Sequence, residues 1–150
     1  MALFRELPYP GMNFLVDMGT GDSDGQGAGV MHVQLPEARV DVIEYRNGNE
    51  KNTNPRQLQA LSRYTPLVLQ RGYAGGLDWY QWWNQLRNGD VAARRNVAVH
   101  LLTEDRSAVV TSWRFLDARP SAWQVANFDA LHPVTLIERL ELVVQRMEVE

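Results

Sequence analysis

The sequence predicts a mainly β protein, an antiparallel β-sandwich or barrel closed by one packed α-helix. Short runs rich in valine, isoleucine, leucine and tyrosine recur along the chain, and Gly, Asp, Asn or Pro separates them. Only one segment, at about residues 76–88, shows the apolar spacing of a helix. The length of 150 residues and a hydrophobic content of 45% indicate a single domain, residues 1–150, with a full core.

The first half of the chain contains four predicted strands. Their ranges are 12–19, 30–35, 38–46 and 64–72. The glycine-rich stretch 19–29 has no large side chain and predicts a loop. Residues 47–63 contain four asparagines and a proline, and we interpret them as a long exposed connection. Such connections within compact domains are often functional.

The segment "LDWYQWWNQL" (77–86) predicts the helix. Its apolar residues at i, i+3, i+4 and i+7 are Trp79, Trp82, Trp83 and Leu86. Asp78 near the start and Gly89 after the end agree with the preferences of helix termini. The aromatic cluster could instead be a stacking platform for a ligand, but the helical period favours a face buried against the sheet.

The second half continues as strands. Their predicted ranges are 94–102, 108–115, 117–126 and 134–150. In the last of these the apolar alternation changes phase around Glu138 to Leu140, which predicts a bulge.

No motif for catalysis or for binding a cofactor or metal is present. The chain has no cysteine, and its three histidines lack the spacing of a metal site. The net charge of −3 argues against a general nucleic-acid binder. Arg94 and Arg95 beside the tryptophans leave stacking of single-stranded nucleic acid as an alternative. We find no signal peptide and no apolar run long enough to span a membrane. We therefore expect no cofactor, no metal and no enzymatic activity, although an unrecognised hydrolase remains a further hypothesis.

Seven motifs in order resemble one known family. They are "PYPGMNFLVDMG", "DVIEYRNGNEK", "PLVLQRG", "DWYQWWNQLRNG", "RRNVAVHLL", "SWRFLDARPSAW" and "LIERLELVVQRMEVE". Together they resemble the tail-tube protein family of contractile phage tails, and most closely its branch in phage-tail-like extracellular contractile injection systems. The resemblance covers nearly the whole chain.

The resemblance implies a structural subunit of an inner tube. Six-membered rings would stack around a lumen lined by a continuous inner β-barrel, inside a contractile sheath and above baseplate and spike proteins. The lumen would admit a cargo, or a passing genome in a phage. Assembly would take place in the cytoplasm, and the product would be part of a virion or a phage-tail-like particle that is released or membrane-attached. Two alternatives stay open: a baseplate-proximal tube-initiator ring, and a β-sandwich module that binds glycan or nucleic acid.

The resemblance also implies roles for two strands and one connection. The strands 38–46 and 64–71 would line the lumen and pair with neighbouring subunits. The residues expected to face the lumen are Arg39, Asp41, Val68 and Gln70, with the alternate positions Val40, Val42, Leu67 and Leu69 packed inward. The connection 47–63 would contact the next ring. Its expected contact residues are Asn47, Asn49, Lys51 and Arg56.

Overall fold

The structure is a computed structural model that describes residues 5–19 and 29–150. These residues form nine strands and one helix. The elements are β1 (Phe14–Asp17), β2 (Val30–Gln34), β3 (Ala38–Tyr45), β4 (Arg56–Tyr64), β5 (Leu67–Gly72), α1 (Asp78–Arg87), β6 (Arg95–Leu102), β7 (Val109–Val125), β8 (Ile137–Val143) and β9 (Arg146–Val149). The predicted fold class is confirmed: the protein is mainly β, its strand pairs are antiparallel, and it carries one helix. The predicted loop 19–29 lies, apart from its two end residues, outside the described residues.

Seven strands form one sheet, in which β7 joins two halves. The order is β1-β6-β7-β8-β5-β2, with β9 also paired to β7. The first part of β7 pairs with β6 and β9, and the part from Arg119 onward pairs with β8. Between the two parts Asp117 has a φ of 53°, a conformation in which Asp is one of the few tolerated residues. β3 and β4 form a separate two-stranded sheet.

One apolar core lies between the two halves of the sheet. Val16, Val97 and Phe115 come from the first half, and Leu69 and Leu140 come from the second. All five are buried within a single cluster. Because side chains alternate along each strand, both halves place one face on this core and leave the other face outside.

Helix α1 packs its indoles on the same core. Trp79 and Trp82 are each 1% exposed, and the Trp82 Nε1 donates a hydrogen bond of 2.6 Å to the carbonyl oxygen of Ala93. Leu86 is half-buried against the cluster, and Trp83 is half-buried. The helix ends at Arg87, before Gly89 with a φ of 90°.

Three sequence-based interpretations were wrong. Residues 47–63 are not one connection, because 56–64 form strand β4. The ranges 108–115 and 117–126 are one strand, β7. The range 134–150 is two strands, which separate after Val143.

Glu138 explains the misread phase of the last predicted strand. It pairs with Arg71 without a register shift in the β5–β8 ladder. Its side chain is buried on the same side as Leu140 and Leu142. The predicted bulge was therefore wrong, because a charged residue at a core-facing position was read as a change in the apolar alternation.

Candidate assembly surface

Four adjacent strands present a polar outer face. The strands are β2, β5, β8 and the second part of β7. Opposite the core-facing leucines, the register aligns two rows of side chains across them. One row is Gln34, Val68, Glu141 and Ala122, and the other is His32, Gln70, Arg139 and Gln124.

The charges in these two rows are balanced. The Arg139 Nη1 lies 2.6 Å from the Glu141 Oε1. The remaining residues are amides, one histidine and small apolar side chains. This face is therefore hydrophilic and has no electrostatic potential of a single sign. Such a face suits contact with water better than binding of a polyanion.

Both edges of this four-stranded unit are open in the part of the chain that the structure describes. β2 pairs only with β5, and residues 119–125 of β7 pair only with β8. The Ala126 N–H donates to the Ile137 carbonyl oxygen at 2.9 Å. In an antiparallel ladder alternate residues point their N–H groups to opposite sides. The Val125 N–H therefore points away from β8, toward the open edge, and open edges invite pairing with another chain.

A long two-stranded ribbon extends from the β2 edge. Gln34 pairs with Val68 and Ala38 pairs with Tyr64, so the register keeps one offset through the gap and sets Pro36 opposite Pro66. Neither proline can donate to the ladder. Beside them, the Thr65 N–H donates to the Glu37 carbonyl oxygen at 3.2 Å, and the Glu37 N–H donates to the Thr65 Oγ1 at 2.7 Å. The β3–β4 hairpin thus continues the β2–β5 pair.

The β3–β4 hairpin is exposed on both faces. Its exposed large hydrophobic residues are Val40, Val42, Ile43, Tyr45, Leu58 and Leu61. Charges accompany them, and the Arg63 Nε lies 2.6 Å from the Asp41 Oδ2. An apolar surface of this extent on a projecting hairpin indicates a contact with another molecule.

The hairpin tip, residues 46–55, is held by its own polar groups. The Arg46 side chain donates to the carbonyl oxygens of Glu50 and Asn52, both at 2.8 Å. The Glu50 carboxylate also lies 3.1 Å from the Arg56 Nη2. The Asn47 Nδ2 also donates to the Glu50 Oε1 at 3.3 Å. Asn47, Asn49 and Lys51 are nevertheless exposed.

The structure separates the residues expected to face the lumen. Arg39 and Asp41 lie on β3, whereas Val68 and Gln70 lie on β5. The expectation that strand 64–71 lies at the seam between subunits disagrees with the topology, because β5 is flanked by β2 and β8 within the chain. The Val68 side chain is 5% exposed. The open edges of the four-stranded unit belong to β2 and to the second part of β7 instead.

A charge cluster with a buried Arg71–Glu138 pair and a half-exposed Asp78 connects α1 to the sheet. The Arg71 Nε donates to the Glu138 Oε2 at 2.9 Å, and the Arg71 Nη2 donates to the Asp78 Oδ1 at 2.6 Å. Trp123 donates from its Nε1 to the Glu138 Oε1 at 2.7 Å. The Arg71 guanidinium also lies 4.0 Å from the centre of the Trp79 ring.

The pKa of Asp78 reflects this cluster. Partial burial raises the pKa, but the hydrogen bond and the charge of Arg71 outweigh it, and the pKa is lowered below its usual value. Sequence reasoning missed the whole cluster. The sequence feature that could have revealed the cluster was a charged residue at a core-facing position in each of "LVLQRG" and "LIERLEL".

Two further functional features are absent from residues 5–19 and 29–150. No group of three or more His, Asp or Glu side chains there could hold a metal ion. No helix there is long and apolar enough to cross a membrane.

Solved structures share this fold. The chain matches one chain of the sheath–tube complex of an extracellular contractile injection system, PVC, in its extended state. That match has a TM-score of 0.81 and 21% identity over 97% of this chain and 93% of the other. A chain of the anti-feeding prophage baseplate gives a TM-score of 0.79 and 24% identity over 97% of both chains. Hcp1 from Flavobacterium johnsoniae gives a TM-score of 0.56 and 14% identity over 91% of this chain and 93% of that protein.

The family comparison is more specific than these likenesses of fold. No sequence among the curated proteins matches the chain significantly. Residues 10–148, however, match the model of the T4-like virus tail tube protein gp19 family. Because this match spans nearly the whole sequence, the chain belongs to the T4-like virus tail tube protein family.

Proposed function

We propose that this tail-tube protein forms six-membered rings that stack into the inner tube of a contractile injection system. The observation that carries the proposal is the four-stranded unit with a polar, charge-balanced outer face and two open edges. Such a unit exposes ladder groups that a further copy can satisfy. A polar face on the inside of the closed ring would line a lumen.

The strand directions allow this closure. Successive strands in the order β2-β5-β8-β7 are antiparallel, so β2 and β7 run in opposite directions. Rotation about a ring axis keeps those directions, and β7 of one subunit would meet β2 of the next as an antiparallel pair. This is a heterologous contact, the kind that closes into a ring when the rotation is suitable.

The β3–β4 hairpin would extend the same wall. Tyr64 packs against the core cluster, as Leu67 and Leu69 do. Tyr64 lies an odd number of positions before both leucines. Core-facing residues are therefore even-numbered before Pro66 and odd-numbered after it. This change supports placing Arg39 and Asp41 on the lumen side, together with Val68 and Gln70.

The fixed hairpin tip would contact the next ring in the stack. We assign this contact to Asn47, Asn49, Lys51 and Arg56, which are exposed. The likeness to a chain from a sheath–tube complex and to one from a baseplate supports a sheath and a baseplate as partners. Under this proposal residues 1–150 act as one tail-tube domain without catalytic activity. The subunit assembles in the cytoplasm into a phage-tail-like particle whose lumen takes up a cargo.

The ring proposal is tested at the β7 edge with Val125→Pro. The substitution removes an N–H that points away from β8, so the internal ladder stays intact while the proposed seam loses a donor. We expect a folded subunit that no longer forms rings, scored by negative-stain microscopy and sedimentation. Gln124→Ala is the matched control, because it changes only a side chain on the polar face and should leave rings intact. Rings of wild-type size from the proline variant would contradict the proposed seam.

A further inference from the structure

The loop between β7 and β8, residues 126–136, exposes large apolar side chains. Phe128 and Leu131 are each 86% exposed, and Val134 is also exposed. Neighbouring exposed side chains of this size are unusual on a subunit that works alone, and they mark a contact site.

The loop is ordered by its own polar contacts. The Asp129 Oδ1 accepts a hydrogen bond from the Leu131 N–H at 2.9 Å, and its Oδ2 lies 2.6 Å from the His132 Nδ1. The Ala126 and Val134 N–H groups donate to the carbonyl oxygens of Ile137 and His132, each at 2.9 Å. A loop held in this way presents its apolar side chains without a large further loss of entropy on binding.

An apolar groove lies on the opposite flank of the subunit, beside the open edge of β2. Its volume is about 380 Å³, and its lining includes Phe14, Met31, Val33, Leu35, Leu101 and Trp113. Met31 and Leu35 are exposed in the single chain. The groove is therefore large and apolar enough to take an aromatic side chain, and it is open at the edge where another copy would pair.

The cross-strand register sets the loop and the groove at the same end of the sheet. Val30 pairs with Arg71, Arg71 with Glu138, and Glu138 with Val125. The last residue of β7 is therefore level with the first residue of β2. When β7 of one copy pairs antiparallel with β2 of the next, the loop that follows Val125 arrives at the Met31 end of that groove.

We propose that Phe128 and Leu131 of one subunit insert into the apolar groove beside β2 of the next subunit in the ring. The inference rests on the proposed ring. It adds an apolar side-chain contact to the main-chain pairing of β7 with β2. A loop and a groove on opposite flanks form a heterologous contact, so each subunit donates one loop and accepts one.

The absence of cysteine from the chain allows a direct test. Leu131→Cys combined with Met31→Cys places one thiol on the loop and one in the groove. Within a subunit these positions lie at opposite edges of the four-stranded unit. Its three inter-strand spacings of about 4.8 Å separate them by about 14 Å, which is too long for a disulfide. Mild oxidation of assembled rings should therefore give a covalent ladder up to the full ring on a non-reducing denaturing gel.

Matched variants separate this contact from chance collisions. Val91 is similarly exposed, at 75%, and lies in the segment after α1. Val91→Cys with Met31→Cys should give no ladder, and Leu131→Cys alone should give nothing larger than a dimer. Phe128→Ser with Leu131→Ser should raise the subunit concentration needed for rings at least tenfold, whereas Val91→Ser should not change it.

The outcomes distinguish this inference from the proposed ring. A wild-type protein that forms no rings under any condition would overturn the ring itself. Wild-type rings with no disulfide ladder, or serine variants that assemble as readily as wild type, would overturn the loop-in-groove contact and leave the ring standing. If the cysteine pair fails to assemble, the serine variants still decide the question, because their substituted side chains are exposed in the single chain.

Discussion

The helix side of the molecule and the β3–β4 hairpin use apolar residues in opposite ways. Trp79 and Trp82 are 1% exposed, whereas Val40 and Val42 on the hairpin are 46% and 56% exposed. The first set is buried within one chain and stabilises the isolated subunit. Under the proposed function the valines would be buried only between copies, so they would contribute to assembly more than to folding. The comparison shows that apolar content alone does not distinguish a core from an interface.

The two regions also differ in how they hold charges. Arg71 and Glu138 pair in the interior, with side chains 6% and 1% exposed. Arg63 and Asp41 pair on the open face of the hairpin. Removing one partner of a buried pair leaves a desolvated charge, whereas an exposed pair is worth little because water solvates both groups.

The largest expected effect is the loss of a helix indole from the core. Trp82→Ala should lower the free energy of unfolding by about 3–5 kcal/mol, since it removes a buried aromatic side chain and leaves the Ala93 carbonyl oxygen without its donor. Chemical denaturation of the isolated subunit measures it. Trp83→Ala is the control on the same helix, and a smaller loss is expected because Trp83 is only half-buried. Equal losses at the two sites would contradict the difference between them.

A smaller effect is expected from the buried charge pair. Glu138→Gln keeps the shape of the side chain but replaces a charged acceptor of the Arg71 and Trp123 hydrogen bonds. The expected cost is about 1.5–3 kcal/mol, the range for hydrogen bonds to charged groups.

Glu141→Gln is the matched control for this prediction. It is the same substitution on the same strand, but on the polar outer face, where Glu141 pairs with the partly exposed Arg139. A cost of about 0–1 kcal/mol is expected there. If denaturation gave the same loss for both variants, the Arg71–Glu138 pair would not distinguish the interior from the outer face.

The same contrast between regions explains which elements could be predicted from the sequence. The helix and strands such as 95–102 bury one face, so their apolar periodicity is visible. Strand β4 buries neither face within one chain: eight of its nine residues are exposed and only Tyr64 is half-buried. Its sequence "RQLQALSRY" therefore has no periodicity to detect, and its pairing with β3 was missed.

Strand-pairing partners and buried charges could not be predicted from the sequence for another reason. Both depend on contacts between segments far apart in sequence, as with Glu138, which meets Arg71 across 67 residues. The charged side chain at position 138 looked like a change of phase because its partner was not visible. The open edges of β2 and β7 were likewise invisible, since an edge is defined by the order of the sheet and not by any one strand.

The smallest expected effect on folding, and the sharpest test of the contrast, lies in the hairpin. Val40 and Val42 lie on the face of β3 opposite to Arg39 and Asp41, and both are exposed. Changing both to serine should alter the free energy of unfolding of the isolated subunit by less than about 1 kcal/mol, because exposed sites contribute about 0.5 kcal/mol each. Assembly should respond differently, since the proposed tube buries this surface between copies. We expect sedimentation to show a marked loss of rings or stacks at concentrations where the wild type assembles fully. Asp41→Asn on the same hairpin is the control, because it changes a charge on the proposed lumen side and should leave assembly unchanged. If the double serine variant instead lost as much folding stability as Trp82→Ala and kept its assembly, the hairpin would belong to the subunit core.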